Sequence, residues 1–72
     1  MVKKKKLPDK IRQNIRNVPL EEFEALINLY GYIEMGGKHP KAIIGVHTMP
    51  YKRENPIKSY YVKELIGIID SL

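Results

Sequence analysis

Apolar positions recur along the chain with two different periods, and the change of period divides it. Leu7, Ile11 and Ile15 fall every four residues, with Lys10, Arg12, Gln13, Asn14 and Arg16 between them. That spacing predicts a short amphipathic helix with a narrow apolar stripe. Pro8 suits its first position, where a missing N–H costs nothing, and Asn17 ends it. Val18-Pro19-Leu20-Glu21-Glu22 then opens a second helix, with two glutamates at the positive end of the helix dipole. Leu20, Phe23, Leu26, Ile27 and Tyr30 share one face of it, a stripe for core packing. Gly31 is expected to close it in the left-handed conformation.

Beyond Gly31 the period shortens to two. Tyr32-Ile33-Glu34-Met35 alternates as a strand does, and Gly36-Gly37 breaks it. Lys41-Ala42-Ile43-Ile44 and Val46-His47-Thr48-Met49 are β-rich on either side of Gly45. They form a tight hairpin or one bulged strand, and the hairpin is the preferred reading. Pro50 ends the ladder or sits on an edge strand. Lys52 to Pro56 is a polar loop with Asn55-Pro56 as its turn. Ser59 is placed to cap a last helix whose stripe is Val62, Leu65, Ile66 and Ile69; Ile68 and Leu72 lie off that stripe and either widen it, the preferred reading, or face a partner. The predicted fold is α+β: a small two-layer sandwich, helices packed on a three-stranded antiparallel sheet, in the order α-α-β-β-β-α. The second face of that sheet is left partly open, available to a ligand or partner.

Seventy-two residues make one domain with a modest core, here residues 8–72, preceded by a basic tail at 1–7. The chain has no cysteine, which excludes disulfides and thiolate metal sites. Its two histidines and scattered acids have no zinc spacing, so neither metal nor cofactor is expected. No apolar run is long enough to span a bilayer, and the basic start has no hydrophobic stretch behind it, so a cytoplasmic protein is expected. The net charge of +5 is uneven. Without Lys3-Lys4-Lys5-Lys6 the chain carries nine basic against eight acidic residues. The remaining excess lies in the second half, at Lys38, Lys41, Lys52, Arg53, Lys58 and Lys63.

Candidate chemistry gathers at Gly36-Gly37-Lys38-His39-Pro40-Lys41 and at Thr48-Met49-Pro50-Tyr51-Lys52-Arg53. Imidazole titrates near neutrality, so His39 is the candidate for proton transfer. Lys38, Lys41, Lys52 and Arg53 are candidates for phosphate contacts, with glycines allowing close approach. Tyr51 has two readings, stacking on a base or packing on the sheet at a strand end. His47 joins His39 on one face only if the hairpin turn spans Ile43 to Gly45. A turn at Ile44-Gly45 separates them. The plain alternative for the whole stretch is a solvated hairpin with a surface histidine.

From Asn17 onward the chain resembles the HicA (YcfA-like) family of bacterial messenger-RNA-cleaving toxins. The likeness is carried by Asn17-Val18, Glu21-Glu22-Phe23, Leu26 through Tyr30-Gly31-Tyr32, Gly37-Lys38-His39, Thr48-Met49-Pro50, and Ile57-Lys58 with Val62 and Leu65-Ile66. It implies a fold like the double-stranded-RNA-binding domain, a metal-independent endoribonuclease with His39 catalytic, and RNA contacts near Gly37, Lys38, Lys41, Tyr51, Lys52 and Arg53. It also implies a HicB-like antitoxin partner that covers the sheet face or blocks His39. Departures from the family pattern are Lys38 in place of serine, Pro40 after the histidine, a short interval from His39 to Pro50, and Tyr60 where the last helix usually has glycine. Two other readings stand beside the toxin: a noncatalytic RNA-binding module on the same fold, and a protein-interaction domain indifferent to nucleic acid.

Overall fold

A computed structural model describes residues 9–72. Leu7, Pro8 and the expected basic tail at 1–7 lie outside the described residues. Helix α1 is described at residues 9–13 and is followed by a 3-10 turn, Ile15–Asn17. Then come α2 (Leu20–Tyr30), β1 (Tyr32–Glu34), β2 (Lys41–Ile44), β3 (His47–Pro50) and α3 (Ser59–Asp70). The strands form one antiparallel sheet in the order β1-β2-β3. This is a small α+β fold with the expected order of elements.

The expected single helix up to Asn17 is broken. Asn14, at φ −144° and ψ 56°, leaves helical geometry, and only a 3-10 turn follows. The break carries Val18 alongside Ile57, where the Ile57 N–H donates to the Val18 carbonyl at 2.9 Å. Ile11 is still buried, and ion pairs tie α1 outward through Lys10–Glu22 at 2.6 Å and Arg12–Asp70.

Gly31 ends α2, as expected, but for a different reason. Its φ of −166° is extended, not left-handed. A Cβ there would lie 1.9 Å from the carbonyl oxygen of Ile43, so glycine is needed because the central strand passes against the helix exit. Ser59 also corrects an expectation. It is the first residue of α3, Lys58 holds the cap position, and no side chain caps the helix.

The hairpin differs from both weighed turns. Ile44 pairs with His47, so the two-residue turn is Gly45-Val46. Gly45 has φ +61° and Val46 has no positive φ, the pattern of a type II′ turn with glycine first. Pro50 is the last residue of an edge strand, where its missing N–H breaks no ladder. The register turns Ala42, Ile44 and Met49 toward the helices, all buried. They meet Phe23, Leu26 and Ile27 of α2 and Val62 and Leu65 of α3. Each of these side chains apart from Ala42 contributes about 1.5–3 kcal/mol on burial. On the other face, Tyr32, Glu34, Lys41, Thr48 and Pro50 are exposed and Ile43 is half-buried, so that face is open.

Candidate functional site

The loop from β1 to β2 and the segment after β3 enclose a concavity of about 600 Å³. It brings together five of the expected residues: Gly37, Lys38, His39, Lys52 and Arg53. Met35, Gly36 and Pro40 complete its wall. His39 is exposed there, on the same surface as the cations.

Local chemistry fixes the histidine's backbone on both sides. Gly37 takes a left-handed φ of +72°, which lets the chain reverse just before Lys38. Pro40 is buried, and its carbonyl accepts the Tyr51 N–H at 3.1 Å, extending the β2–β3 pairing by one bond. A residue before proline is confined to extended geometry, so Pro40 narrows the range open to His39.

The cations of the second segment are held by four anchors. Tyr51 is 1% exposed, its ring edge-on to Phe23 at 5.1 Å and to Tyr61 at 6.4 Å. Its hydroxyl donates to a Glu24 carboxylate oxygen at 2.7 Å. Burial first, and then this bond to a carboxylate, push the Tyr51 hydroxyl's pKa well up. Arg53 engages the same carboxylate side-on: Nε lies 3.0 Å from Oε2, and Nη2 donates to Oε1 at 3.2 Å. Asn55 Oδ1 accepts the Leu20 N–H at 3.2 Å, satisfying a free donor at the start of α2. Ile57 closes the segment against Val18.

Charge at the site is partly compensated. Lys52 lies 3.4 Å from Glu54, which Lys58 also approaches at 3.7 Å. Arg53 is paired with Glu24. Among the described residues no carboxylate pairs with Lys38, so Lys38 is the least compensated cation beside His39.

Two expected residues, Tyr51 and Lys41, stand elsewhere, and so does His47, weighed as a second proton carrier but read by preference as a structural residue. Tyr51 is core, and a ring packed between Phe23 and Tyr61 has no face for a base. Lys41 is exposed opposite Glu34 in the ladder and does not line the concavity. His47 sits at the hairpin end of the sheet, paired with Ile44, whereas His39 precedes the other end of β2, and His47 does not line the concavity. It is no second proton carrier for this site. Sequence reasoning missed Met35 and Glu24. Met35 directly precedes the glycine pair, a signal of adjacency. Glu24 is joined to Arg53 across 29 positions, and no local pattern announces that. Among the described residues no group of three or more His, Asp or Glu is gathered to hold a metal. No described helix is long and apolar enough to cross a membrane. Comparison with protein-family models, curated proteins and solved structures finds no match to the chain.

Proposed function

We propose that this chain is a HicA-like toxin of a type II toxin–antitoxin system, an endoribonuclease that cleaves messenger RNA with His39 and without a metal. The observation that carries the reading is the exposed His39 imidazole sharing one concavity with Lys38, Lys52 and Arg53. The three-stranded antiparallel sheet with helices on one face agrees with a fold like the double-stranded-RNA-binding domain. In the proposed reaction, neutral His39 takes the proton of a ribose 2′-hydroxyl. The 2′ oxygen bonds to the adjacent phosphorus and the bond to the 5′ oxygen breaks. The leaving oxygen takes a proton from water in the open site. The products are a 2′,3′-cyclic phosphate and a 5′-hydroxyl. Lys38 and Arg53 stabilise charge on the non-bridging oxygens as it develops. A HicB-like antitoxin in the cytoplasm is the proposed partner, seated on the open sheet face or over His39.

The test is cleavage of a single-stranded transcript by the wild-type chain and by His39→Ala. Cleavage is expected to vanish in the variant while its circular dichroism is unchanged. A 2′-deoxy nucleotide at the cut position is expected to block cleavage by the wild type. A noncatalytic RNA-binding module is the second reading, favoured by the lack of another imidazole near His39. It takes over if the wild type binds the transcript but leaves it whole.

A further inference from the structure

We propose that Glu24 is a positioning residue for this site, holding Arg53 in the orientation that meets the scissile phosphate; the inference rests on the nuclease reading. Glu24 lies on α2, away from the two loops that form the concavity, and does not line it. Its side chain is only 18% exposed and faces two groups of the segment after β3. One oxygen accepts the Tyr51 hydroxyl at 2.7 Å and also lies 3.0 Å from Arg53 Nε, while the other accepts Arg53 Nη2 at 3.2 Å. A guanidinium gripped through Nε and Nη2 keeps Nη1 for a ligand. Among the described residues no acceptor engages Nη1. Arg53 is half exposed and lines the concavity with His39. The planar fork is thereby fixed before a phosphate arrives, and less side-chain freedom is lost when it does.

Orientation and plain charge make opposite demands. As a charge alone, Glu24 opposes RNA binding, because it cancels Arg53. As a positioning residue, it aligns Arg53 with charge that develops in the transition state. Glu24→Gln keeps an oxygen for Tyr51 and frees Arg53 from its ion pair. Binding of an uncleavable 2′-deoxy analogue should then be unchanged or tighter. The rate at saturating RNA should fall about tenfold, since a misaligned group loses transition-state stabilisation rather than ground-state binding.

The experiment measures kcat and KM on a single-stranded transcript for wild type, Glu24→Gln, Arg53→Ala, the double variant and Tyr51→Phe, all well below the lowest melting midpoint of the set. The expected result is a lower kcat in Glu24→Gln without a higher KM, and no additional loss from Glu24→Gln once Arg53 is alanine. Tyr51→Phe, which leaves the ion pair intact, should keep the wild-type kcat. A Glu24→Gln variant with wild-type kcat overturns the positioning role, and so does an equal loss with and without Arg53. A wild-type chain that leaves RNA uncut overturns the nuclease reading itself, and this role with it.

Discussion

Tyr51→Phe removes a single oxygen from the interior and asks whether that oxygen faces the core or the ligand. The ring keeps its edge contacts with Phe23 and Tyr61. What is lost is the 2.7 Å bond to the Glu24 carboxylate. Hydrogen bonds to charged groups contribute about 1.5–3 kcal/mol. Glu24 retains both contacts with Arg53, so it is not stranded, and the lower figure of about 1.5 kcal/mol applies. For a domain of this size the melting midpoint should fall by about 10 °C. The pH dependence supplies a second measurement. Burial and the Glu24 bond raise the Tyr51 pKa in the folded state, so the folded chain holds that proton more tightly than the unfolded chain. The corresponding stability is fully present below the unfolded value of about 10 and is lost as pH rises above it. The loss approaches about 1.4 kcal/mol per pH unit, which exhausts the wild-type advantage near pH 11. Urea unfolding at several pH values from 7 to 11 should therefore give two stability curves that converge above pH 10. Curves that coincide at pH 7, or run parallel up to pH 11, would refute the buried hydroxyl bond. Weaker RNA binding by Tyr51→Phe at unchanged stability would put the hydroxyl at the ligand.

Three other variants test neighbouring parts of the argument. Gly31→Ala should destabilise the domain by about 2 kcal/mol or more, read by denaturant unfolding, because its Cβ would meet the backbone oxygen of the central strand at 1.9 Å. Wild-type stability would mean that α2 and β2 are not in that contact. Asn55→Ala should cost about 1 kcal/mol in the same assay, by removing the acceptor for the Leu20 N–H. Lys38→Ala should lower the salt slope of binding to single-stranded RNA by about 0.7, the loss of one phosphate contact. An unchanged slope would remove Lys38 from the interface.

The helices and strands are legible because burial writes a period into the chain. Phe23, Leu26 and Ile27 are buried as their spacing requires, and Ala42, Ile44 and Met49 alternate inward as strand residues do. What escapes the pattern is set by contacts at long range. The first helix stops at Asn14 because Val18 is needed beside Ile57, and no residue near Asn14 signals it. Gly31 reads as a helix terminator on local grounds, yet its role depends on Ile43, twelve positions on. The hairpin register turned on whether Gly45 opens the turn or closes it. With glycine first, a type II′ turn is satisfied, Val46 takes the second place, and His47 remains in the ladder.

The site was legible as a list of chemical types and less so as an arrangement. Residues flanking the glycine pair could be grouped from sequence because a loop keeps its own members together. The segment after β3 could not, since alternation beyond Pro50 places one of Tyr51 and Lys52 inward, and the pattern does not say which. Polarity decides the matter physically. The tyrosine ring is the larger apolar body, and Glu24 offers its hydroxyl the one bond it needs inside. Once Tyr51 is inward, Lys52 turns outward to the concavity and Arg53 falls within reach of the same carboxylate. A single burial thus determines how the cations after β3 stand beside His39. One acid of the first half, Glu24, therefore belongs to the same electrostatic unit as the cations after β3. Glu24 shows how: the carboxylate that satisfies the core tyrosine also holds the arginine at the rim.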